Sequence, residues 1–257
     1  MNTTDHGGVR TSVLRVPVDP FGQDQIVDIV MKWTDGPHTH VAIGVNAMVC
    51  NLAATNDDFH GKVMAADLSY ADGQSVVWAA RLLGGRVPER VATTDLIDAL
   101  ASISALTGKK LFFYGGKPGV AERAASQLRH VHPDLQVATR DGYVSHDGMP
   151  QLIDEINASG AHILFVGLGE PRQQDWVSQY RDRLTVPAIL TCGGLFDWVS
   201  GDNKRAPAWM IAAGLEWLWR LIIEPRRLAS RYLLGNPAFL YRLGKQVVRA
   251  AWVSQVT

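Results

Sequence analysis

The sequence predicts an α/β fold, with a parallel β-sheet core followed by a basic helical segment. Three observations lead to this prediction. Short apolar runs alternate with helical patterns between residues 40 and 194, glycine and polar residues follow those runs, and the pattern becomes wholly helical and basic after residue 203. Strand–helix alternation implies parallel strands joined by right-handed crossovers. The 257 residues, 47% of them hydrophobic, suffice to bury a full core.

Six apolar runs are predicted to be buried strands, because each is short and a segment of helical periodicity follows it. In chain order they span residues 40–46, 62–67, 110–116, 135–140, 162–169 and 187–194. Later in the chain, three helical stretches are expected, separated by Pro225 and by the turn at residues 235–237. We therefore predict a Rossmann-like core at residues 1–203 and a helical appendage at residues 204–257.

The charges are unevenly distributed along the chain. The charges of its 25 basic and 25 acidic residues cancel. From residue 204 onward, however, there are nine basic residues and two acidic ones, which gives a net charge of about +7. Such a segment expects an anionic partner: a phosphate, an acidic membrane surface or a nucleic acid. Tryptophans interleave with its arginines, as in helices that lie on membranes. Because Glu216 and Arg220 interrupt the apolar run at 209–223, we expect it to lie on a bilayer rather than cross one.

The N-terminus and the cysteines indicate a cytoplasmic protein. The first ten residues are polar and lack the apolar stretch of an export signal. Cys50 and Cys192 have neither metal-ligand spacing nor a disulfide framework. The chain has no Asp-x-Asp motif and no metal-spaced cluster of His, Asp and Glu, so no metal site is predicted.

Ligands of parallel sheets bind beyond the carboxyl ends of the strands, and glycines and polar residues cluster at those predicted ends. The turn with Gly115, Gly116 and Gly119 is expected to open a helix whose first turn contains Pro118. It would let an anion approach backbone N–H groups. The turn lacks the spacing of a dinucleotide fingerprint or a P-loop, so a tight turn without a ligand is an equal alternative. The other residues at these ends are Asn46, Asp72, Gly169, Gly193 and Gly194.

Two further segments leave alternatives open. Asp72 precedes an apolar helical run, so it is either the N-cap of that helix or a general base that accepts a proton from a hydroxyl nucleophile.

Gln173 and Gln174 follow Pro171 near the start of a helix. We expect their amides either to face the ligand rim or to lie in a solvated first turn.

Seven segments, taken in order, resemble the WecG/TagA/CpsF glycosyltransferase family (family 26). The resemblance covers about residues 40–234, and its last two segments are highly specific. The segments are ADG, ER at 89–90, YGGKPGVAERAA, DGY, VGLGEPRQQDW, GGLFDWVSGDNKRAPAW and GLEWLWRLIIEPRR.

This resemblance implies an inverting, metal-independent enzyme without a cofactor, peripheral on the cytoplasmic face of the bacterial membrane. It would move a hexose (glucose, N-acetylmannosamine or a uronic acid derivative) from a UDP-sugar to a polyprenyl-diphosphate-linked saccharide in cell-surface polysaccharide synthesis. Its partners would be these substrates and an anionic membrane surface, and no nucleic acid. Asp72 matches the catalytic base. The expected substrate-binding residues are Asn46, Arg90, Gly115, Gly116, Tyr143, Gly169, Gln173, Lys204, Arg205, Arg220 and Arg227.

The sequence departs from the family pattern at three positions. Gly44 stands where many members have threonine, Gln174 replaces a glutamate, and Ser230 stands where a basic residue is common. The donor hexose, the acceptor, the linkage and the oligomeric state stay open.

Two other classes of protein also stay open. A nicotinamide-dependent oxidoreductase would use the Gly115 turn and an acidic residue about 20 residues later, a position near Asp134. A non-enzymatic membrane-binding or nucleic-acid-binding module would use the basic tail alone.

Overall fold

The computed structural model describes residues 9–203, 206–225, 228–229 and 233–256. A short antiparallel hairpin precedes a six-stranded sheet in which every neighbouring pair is parallel. The strands are β1 (Thr11–Val13), β2 (Val16–Val18), β3 (His40–Val45), β4 (Leu68–Ala71), β5 (Lys110–Gly115), β6 (Gln136–Arg140), β7 (Ile163–Gly167) and β8 (Ala188–Thr191). The sheet order is β4-β3-β8-β7-β5-β6. The predicted Rossmann-like α/β class is confirmed.

Helices cover both faces of the sheet, and alternate strand residues supply the two apolar layers between them. Phe112 and Leu164 belong to one layer, while their neighbours Phe113 and Phe165 belong to the other. The helices are α1 (Gln23–Trp33), α2 (Ala47–Thr55), α3 (Asp57–Met64), α4 (Gln74–Leu82), α5 (Thr93–Thr107), α6 (Val120–Val131), α7 (Met149–Ala158), α8 (Arg172–Tyr180), α9 (Leu195–Val199), α10 (Ala208–Ala212), α11 (Glu216–Ile223) and α12 (Gly235–Val256).

One predicted strand is wrong. Residues 62–67 complete helix α3 and its C-terminal turn, and the strand follows as β4 at Leu68–Ala71. The helix is favoured because Asn56 caps its N-terminus and Asp57 and Asp58 lie in its first turn. β4 is too short for its pattern to stand out, although all four of its residues are buried. The helix after the Gly115 turn also starts later than expected, at Val120 rather than around Pro118.

The carboxyl ends of the central strands meet along one edge of the sheet. Val45 of β3 pairs with Ala71 of β4, and Thr191 of β8 pairs with Val166 of β7. The chain leaves β7 toward β8 on one side and leaves the neighbouring β5 toward β6 on the other. Such a divergence opens a crevice beyond the strand ends, so the topology directs the polar residues after β3, β4, β7 and β8 into one region.

The last helix packs on the core. Phe239 and Leu243 of α12 are buried in the same apolar layer as Val49 of α2. Asn51 of α2 donates from Nδ2 to the Gly235 carbonyl at 2.7 Å. Gln246 joins α12 to the first hairpin, where its Oε1 accepts from the Leu14 N–H at 2.9 Å. The C-terminal residues are therefore part of the folded unit, while a domain boundary at residue 203 stays a prediction.

Candidate active site

Asp72 follows β4 and lies beside the end of β3, because its N–H donates to the Val45 carbonyl at 3.0 Å. It does not cap the helix that follows it. The N-cap of α4 is Gly73, and no side chain caps that helix. Instead, Oδ1 of Asp72 accepts from the Thr93 N–H at 3.1 Å and from Thr93 Oγ1 at 3.3 Å. The carboxylate thus lies at the N-terminus of α5, where free N–H groups and the helix dipole favour a negative charge.

The Asp72 carboxylate borders a cavity of about 610 Å³, which we call the Asp72 cavity. This volume is typical of a small-molecule site. Its wall combines residues beyond the strand ends with residues from α2 and α12. The polar and glycine positions of the wall are Gly44, Asn46, Asn51, Thr55, Asp72, Thr93, Gly169, Glu170, Thr191, Cys192, Gly193, Gly194, Gly235 and Arg242.

Asn46 lines this cavity and also begins helix α2. Its Oδ1 accepts from the N–H groups of Met48 at 2.9 Å and Val49 at 3.2 Å, so half of the amide is used as an N-cap. The amide nitrogen donates to none of the residues that the structure describes, and it is the part of Asn46 suited to a substrate oxygen.

Two charged residues that line the cavity were not among the site residues predicted from the sequence. Glu170 follows β7 and accepts from Gln173 Nε2 at 3.1 Å. Arg242 lies on α12 and donates from Nη1 to Asn51 Oδ1 at 2.5 Å. Glu170 could have been found, because it directly follows the Gly169 turn. Arg242 lies 170 residues after Asp72, and no pattern in the sequence links the two.

Cys192 also lines the cavity, but its thiol is not activated. Burial raises its pKa well above the ordinary value, and the nearby Glu170 carboxylate raises it further. A thiol must lose its proton to act as a nucleophile. The carboxylates of Asp72 and Glu170 are therefore better suited than Cys192 to act on a substrate hydroxyl.

The two glutamines at the start of α8 are buried rather than solvated or turned to the rim. Gln173 joins the loops after β7 and β8, because its Oε1 accepts from the Gly193 N–H at 2.9 Å while Nε2 contacts Glu170. Neither amide atom of Gln174 has a hydrogen-bond partner among the described residues. Gln173 therefore lies behind the residues that line the Asp72 cavity and connects two of its loops. Its position in the sequence alone did not indicate this role.

A second cavity of about 740 Å³, the Tyr143 cavity, adjoins the first one. The two share Gly169, Gly193 and Gly194, so no side chain beyond glycine separates them there. The lining of the Tyr143 cavity combines aromatic rings with charged groups. These residues are Tyr114, Lys117, Tyr143, His146, Arg172, Asp175, Trp176, Tyr180, Phe196 and Asp197. Burial raises the pKa of Tyr114 to about 12, so this phenol keeps its proton at neutral pH.

The Gly115 turn serves close packing of the backbone. A Cβ atom on Gly115, whose φ is +139°, would lie 2.3 Å from the Gly167 carbonyl oxygen. The Gly116 N–H already donates to that same carbonyl at 3.1 Å. This N–H is therefore not available to an anion, although Gly116 and Lys117 do line the Tyr143 cavity.

Arg90 lines neither cavity in the described part of the chain. Its Nη1 contacts Glu216 Oε2 at 2.7 Å, and both side chains are largely removed from solvent. This ion pair joins the loop before α5 to the first residue of α11. The structure thus places Arg90 between the core and the tail.

The remaining expected residues belong to the tail. Lys204, Arg205 and Arg227 lie outside the described residues. Arg220 belongs to α11, and its side chain is outside the described part as well.

A Rossmann-like sheet with a fixed carboxylate and two joined cavities beyond its strand ends is the architecture of an α/β protein that binds small molecules. The chain belongs to the WecG/TagA/CpsF family of glycosyl transferases, whose family model matches residues 11–252. It is 32% identical over 184 residues to the N-acetylglucosaminyldiphosphoundecaprenol N-acetyl-β-D-mannosaminyltransferase of Bacillus subtilis (strain 168), and the match covers 71% of each chain.

Family membership makes this protein a glycosyltransferase of polysaccharide biosynthesis, as the resemblance in the sequence predicted. The alternatives lose their support. Asp134 lies in the loop after α6 and lines neither cavity, so the geometry offers no ribose contact of the kind that the oxidoreductase alternative required.

Proposed function

We propose that this enzyme transfers a hexose from a UDP-sugar to a polyprenyl-diphosphate-linked saccharide, with inversion at the anomeric carbon. The observation that carries this proposal is the fixed Asp72 carboxylate in a cavity that opens, across three glycines, into a second cavity. The name of the Bacillus subtilis relative describes transfer of an N-acetylmannosaminyl group to an acceptor of this lipid-linked class. N-acetylmannosamine is therefore the first donor hexose to test.

In the proposed reaction, Asp72 accepts the proton of the acceptor hydroxyl while the hydroxyl oxygen attacks the anomeric carbon. The new carbon–oxygen bond forms as the bond between that carbon and the UDP oxygen breaks, and UDP leaves with the electron pair. A single displacement of this kind inverts the anomeric configuration. The protein contributes proton transfer, positioning and stabilisation of the charge that develops on UDP.

The positions of the groups suggest how the substrates are divided between the cavities. The acceptor hydroxyl must lie within hydrogen-bond reach of Asp72, so we assign the acceptor to the Asp72 cavity. The donor nucleotide then occupies the Tyr143 cavity, where Tyr143 offers an aromatic face and Lys117 and Arg172 offer positive charge. The hexose lies between them, near Gly169, Gly193 and Gly194, where the absence of side chains leaves room for a sugar ring.

Cations from the tail complete the proposed site. The resemblance assigns Arg220 and Arg227 to the diphosphates and includes Lys204 and Arg205 among the substrate-binding residues. Arg242 adds a cation that the structure places in the wall of the Asp72 cavity. Guanidinium groups bind phosphate oxygens in bidentate fashion. A diphosphate next to the acceptor sugar would therefore find a charge partner on α12.

The test of this function is a matrix of donors and acceptors. The purified protein is incubated with UDP-N-acetylmannosamine, UDP-glucose or a UDP-uronic acid, each with polyprenyl-diphosphate-linked N-acetylglucosamine or other lipid-linked sugars. We expect one pair to release UDP and to give a glycosylated lipid of inverted configuration by NMR. Absence of transfer for every pair, with protein that binds UDP, would refute the proposed acceptor class.

Activity should not depend on a divalent metal. Among the described residues, no group of three or more His, Cys, Asp or Glu side chains is arranged to hold a metal ion. Protein cations and N–H donors would meet the charge on departing UDP. We expect the rate in excess EDTA to stay within about twofold of the untreated rate. Removal of a catalytic metal would instead cost several kcal/mol of transition-state stabilisation. A rate that collapses in EDTA and recovers with Mg²⁺ or Mn²⁺ would contradict this.

We also propose that the tail holds the enzyme at an anionic membrane. No helix in the described ranges has both the length and the apolar character needed to span a bilayer. Helix α12 instead carries its buried side chains on one face and exposed apolar side chains on another. The exposed ones are Leu240, Tyr241, Val248 and Trp252, with exposures between 63% and 71%. Lys245 and Arg249 lie on the same helix, and a helix of this composition suits the membrane interface.

A further inference from the structure

We infer that Thr93 is a positioning residue for Asp72, and that the buried phenol of Tyr70 orients the Thr93 hydroxyl. The inference rests on the proposed function, in which Asp72 is the base. The Tyr70 hydroxyl and Thr93 Oγ1 are 2.9 Å apart, and Thr93 Oγ1 is 3.3 Å from Asp72 Oδ1.

The chemistry of the groups fixes the direction of this hydrogen-bond chain. An ionised carboxylate only accepts, so Thr93 must donate its single hydroxyl proton to Asp72. The Thr93 oxygen can then only accept from Tyr70, which makes Tyr70 the donor at the far end. Burial raises the pKa of Tyr70 far above its ordinary value, and the Asp72 charge adds to this effect, so Tyr70 keeps the proton that it donates.

Both donors of Thr93 are directed at one carboxylate oxygen. The N–H and the hydroxyl contact Oδ1, and Oδ2 accepts no hydrogen bond from any described side chain or backbone group. The carboxylate is therefore held by one oxygen while the other stays available for the proton of the acceptor hydroxyl. A general base needs this combination of a fixed orientation and a free acceptor atom.

The backbone around this chain is fixed in two places. The Val91 N–H donates to the Ala71 carbonyl at 2.9 Å, so the loop before α5 is attached to β4 next to Asp72. On the other side, Gly44 leaves room for the three groups to converge. A Cβ atom at Gly44 would lie 3.1 Å from the Asp72 Cβ and 3.3 Å from both the Thr93 Oγ1 and the Tyr70 hydroxyl.

The test compares Thr93→Val, which removes the hydroxyl at constant shape, with Thr93→Ser, which keeps it. Donor and acceptor KM and kcat are measured with the active substrate pair. We expect Thr93→Val to lower kcat about 10-fold to 100-fold, the range for a lost hydrogen bond to a charged group. Both KM values should stay within about twofold, because the substrates do not need this hydroxyl for binding. The kcat of Thr93→Ser should stay within about threefold of that of the unmodified enzyme. The kcat of Tyr70→Phe should lie between those of Thr93→Val and Thr93→Ser.

A double variant separates positioning from a purely structural role. If Thr93 acts through Asp72, Thr93→Val should cost almost nothing further in an Asp72→Asn background, because groups that act as a unit are not additive. The matched control is Ser104→Ala, which removes another buried hydroxyl of α5 that has no described hydrogen-bond partner. This control should leave kcat unchanged. Thermal unfolding of each variant reports the stability of the fold.

Three results would overturn the inference: an unchanged kcat in Thr93→Val, a Thr93→Ser variant as slow as Thr93→Val, or a double variant much slower than Asp72→Asn alone. Failure of the proposed function would look different. In that case Asp72→Asn itself would keep its rate, whatever the Thr93 variants do.

Discussion

Asp72→Asn is expected to lower turnover at least about 100-fold, because the loss of a general base costs about 10²–10⁴ in rate. Asparagine has nearly the same shape and can still accept from Thr93, so we expect the fold to be retained. The donor is held by other groups in the proposed site, so UDP binding should change by less than about twofold, in line with loss of an interaction made only in the transition state. The measurements are UDP release in single turnover and UDP affinity by calorimetry.

The matched control is Asp134→Asn, which neutralises an exposed aspartate in the loop after α6, outside both cavities. Its rate should equal that of the unmodified enzyme. If Asp72→Asn keeps more than about a tenth of the rate, Asp72 is not the base, and the other carboxylate of the cavity, Glu170, becomes the group to examine.

Replacing the exposed apolar residues of α12 is expected to detach the enzyme from membranes. A variant with Tyr241→Ser, Val248→Ser and Trp252→Ser should bind anionic liposomes at least about 30-fold more weakly, since each fully buried large apolar side chain is worth about 1.5–3 kcal/mol. The three positions are exposed, so the substitutions should leave the thermal stability unchanged. Liposome sedimentation measures binding, and turnover with a water-soluble short-chain acceptor should be close to normal.

Point variants of this kind are preferable to removing the tail. A chain ending near residue 203 would uncover the pocket that Phe239 and Leu243 fill and would lose the contacts of Asn51 and Gln246, so loss of activity would have two explanations. The control is Leu106→Ser, an equally apolar residue of α5 that is 85% exposed. Unchanged liposome binding in the triple variant would show that α12 is not the anchor.

The tail arginines provide a second comparison on the same liposomes. We expect Arg220→Ala and Arg227→Ala to bind liposomes almost normally but to lose turnover, because we assign these groups to the substrate diphosphates. If both variants instead lose liposome binding and keep turnover on a soluble acceptor, their partners are lipid headgroups rather than the diphosphates.

Much of the fold followed from local patterns. Five of the six predicted strands lie where the apolar runs placed them, because a short apolar run bounded by turns is typical of a strand in a parallel sheet. The run at 135–140 is a strand but not a buried one: β6 lies at the edge of the sheet and none of its residues is buried. The run at 62–67 was the exception: an Asn56 cap and first-turn aspartates make it the end of a helix. At four residues, β4 was too short to stand out from its neighbours.

The sequence by itself determined the α/β class, the family and the choice of Asp72 as a candidate base, because these depend on periodicity and ordered motifs; the strand directly before Asp72, β4, was recognised only in the structure. The tertiary structure decided which groups meet at the site. Thr93 and Tyr70 join Asp72 only because β4 and the start of α5 are held together. Arg242 enters the same cavity only because α12 packs on α2. Arg90 pairs with Glu216, 126 residues later. Such contacts join segments far apart in the chain, and only packing of the apolar layers brings them within reach.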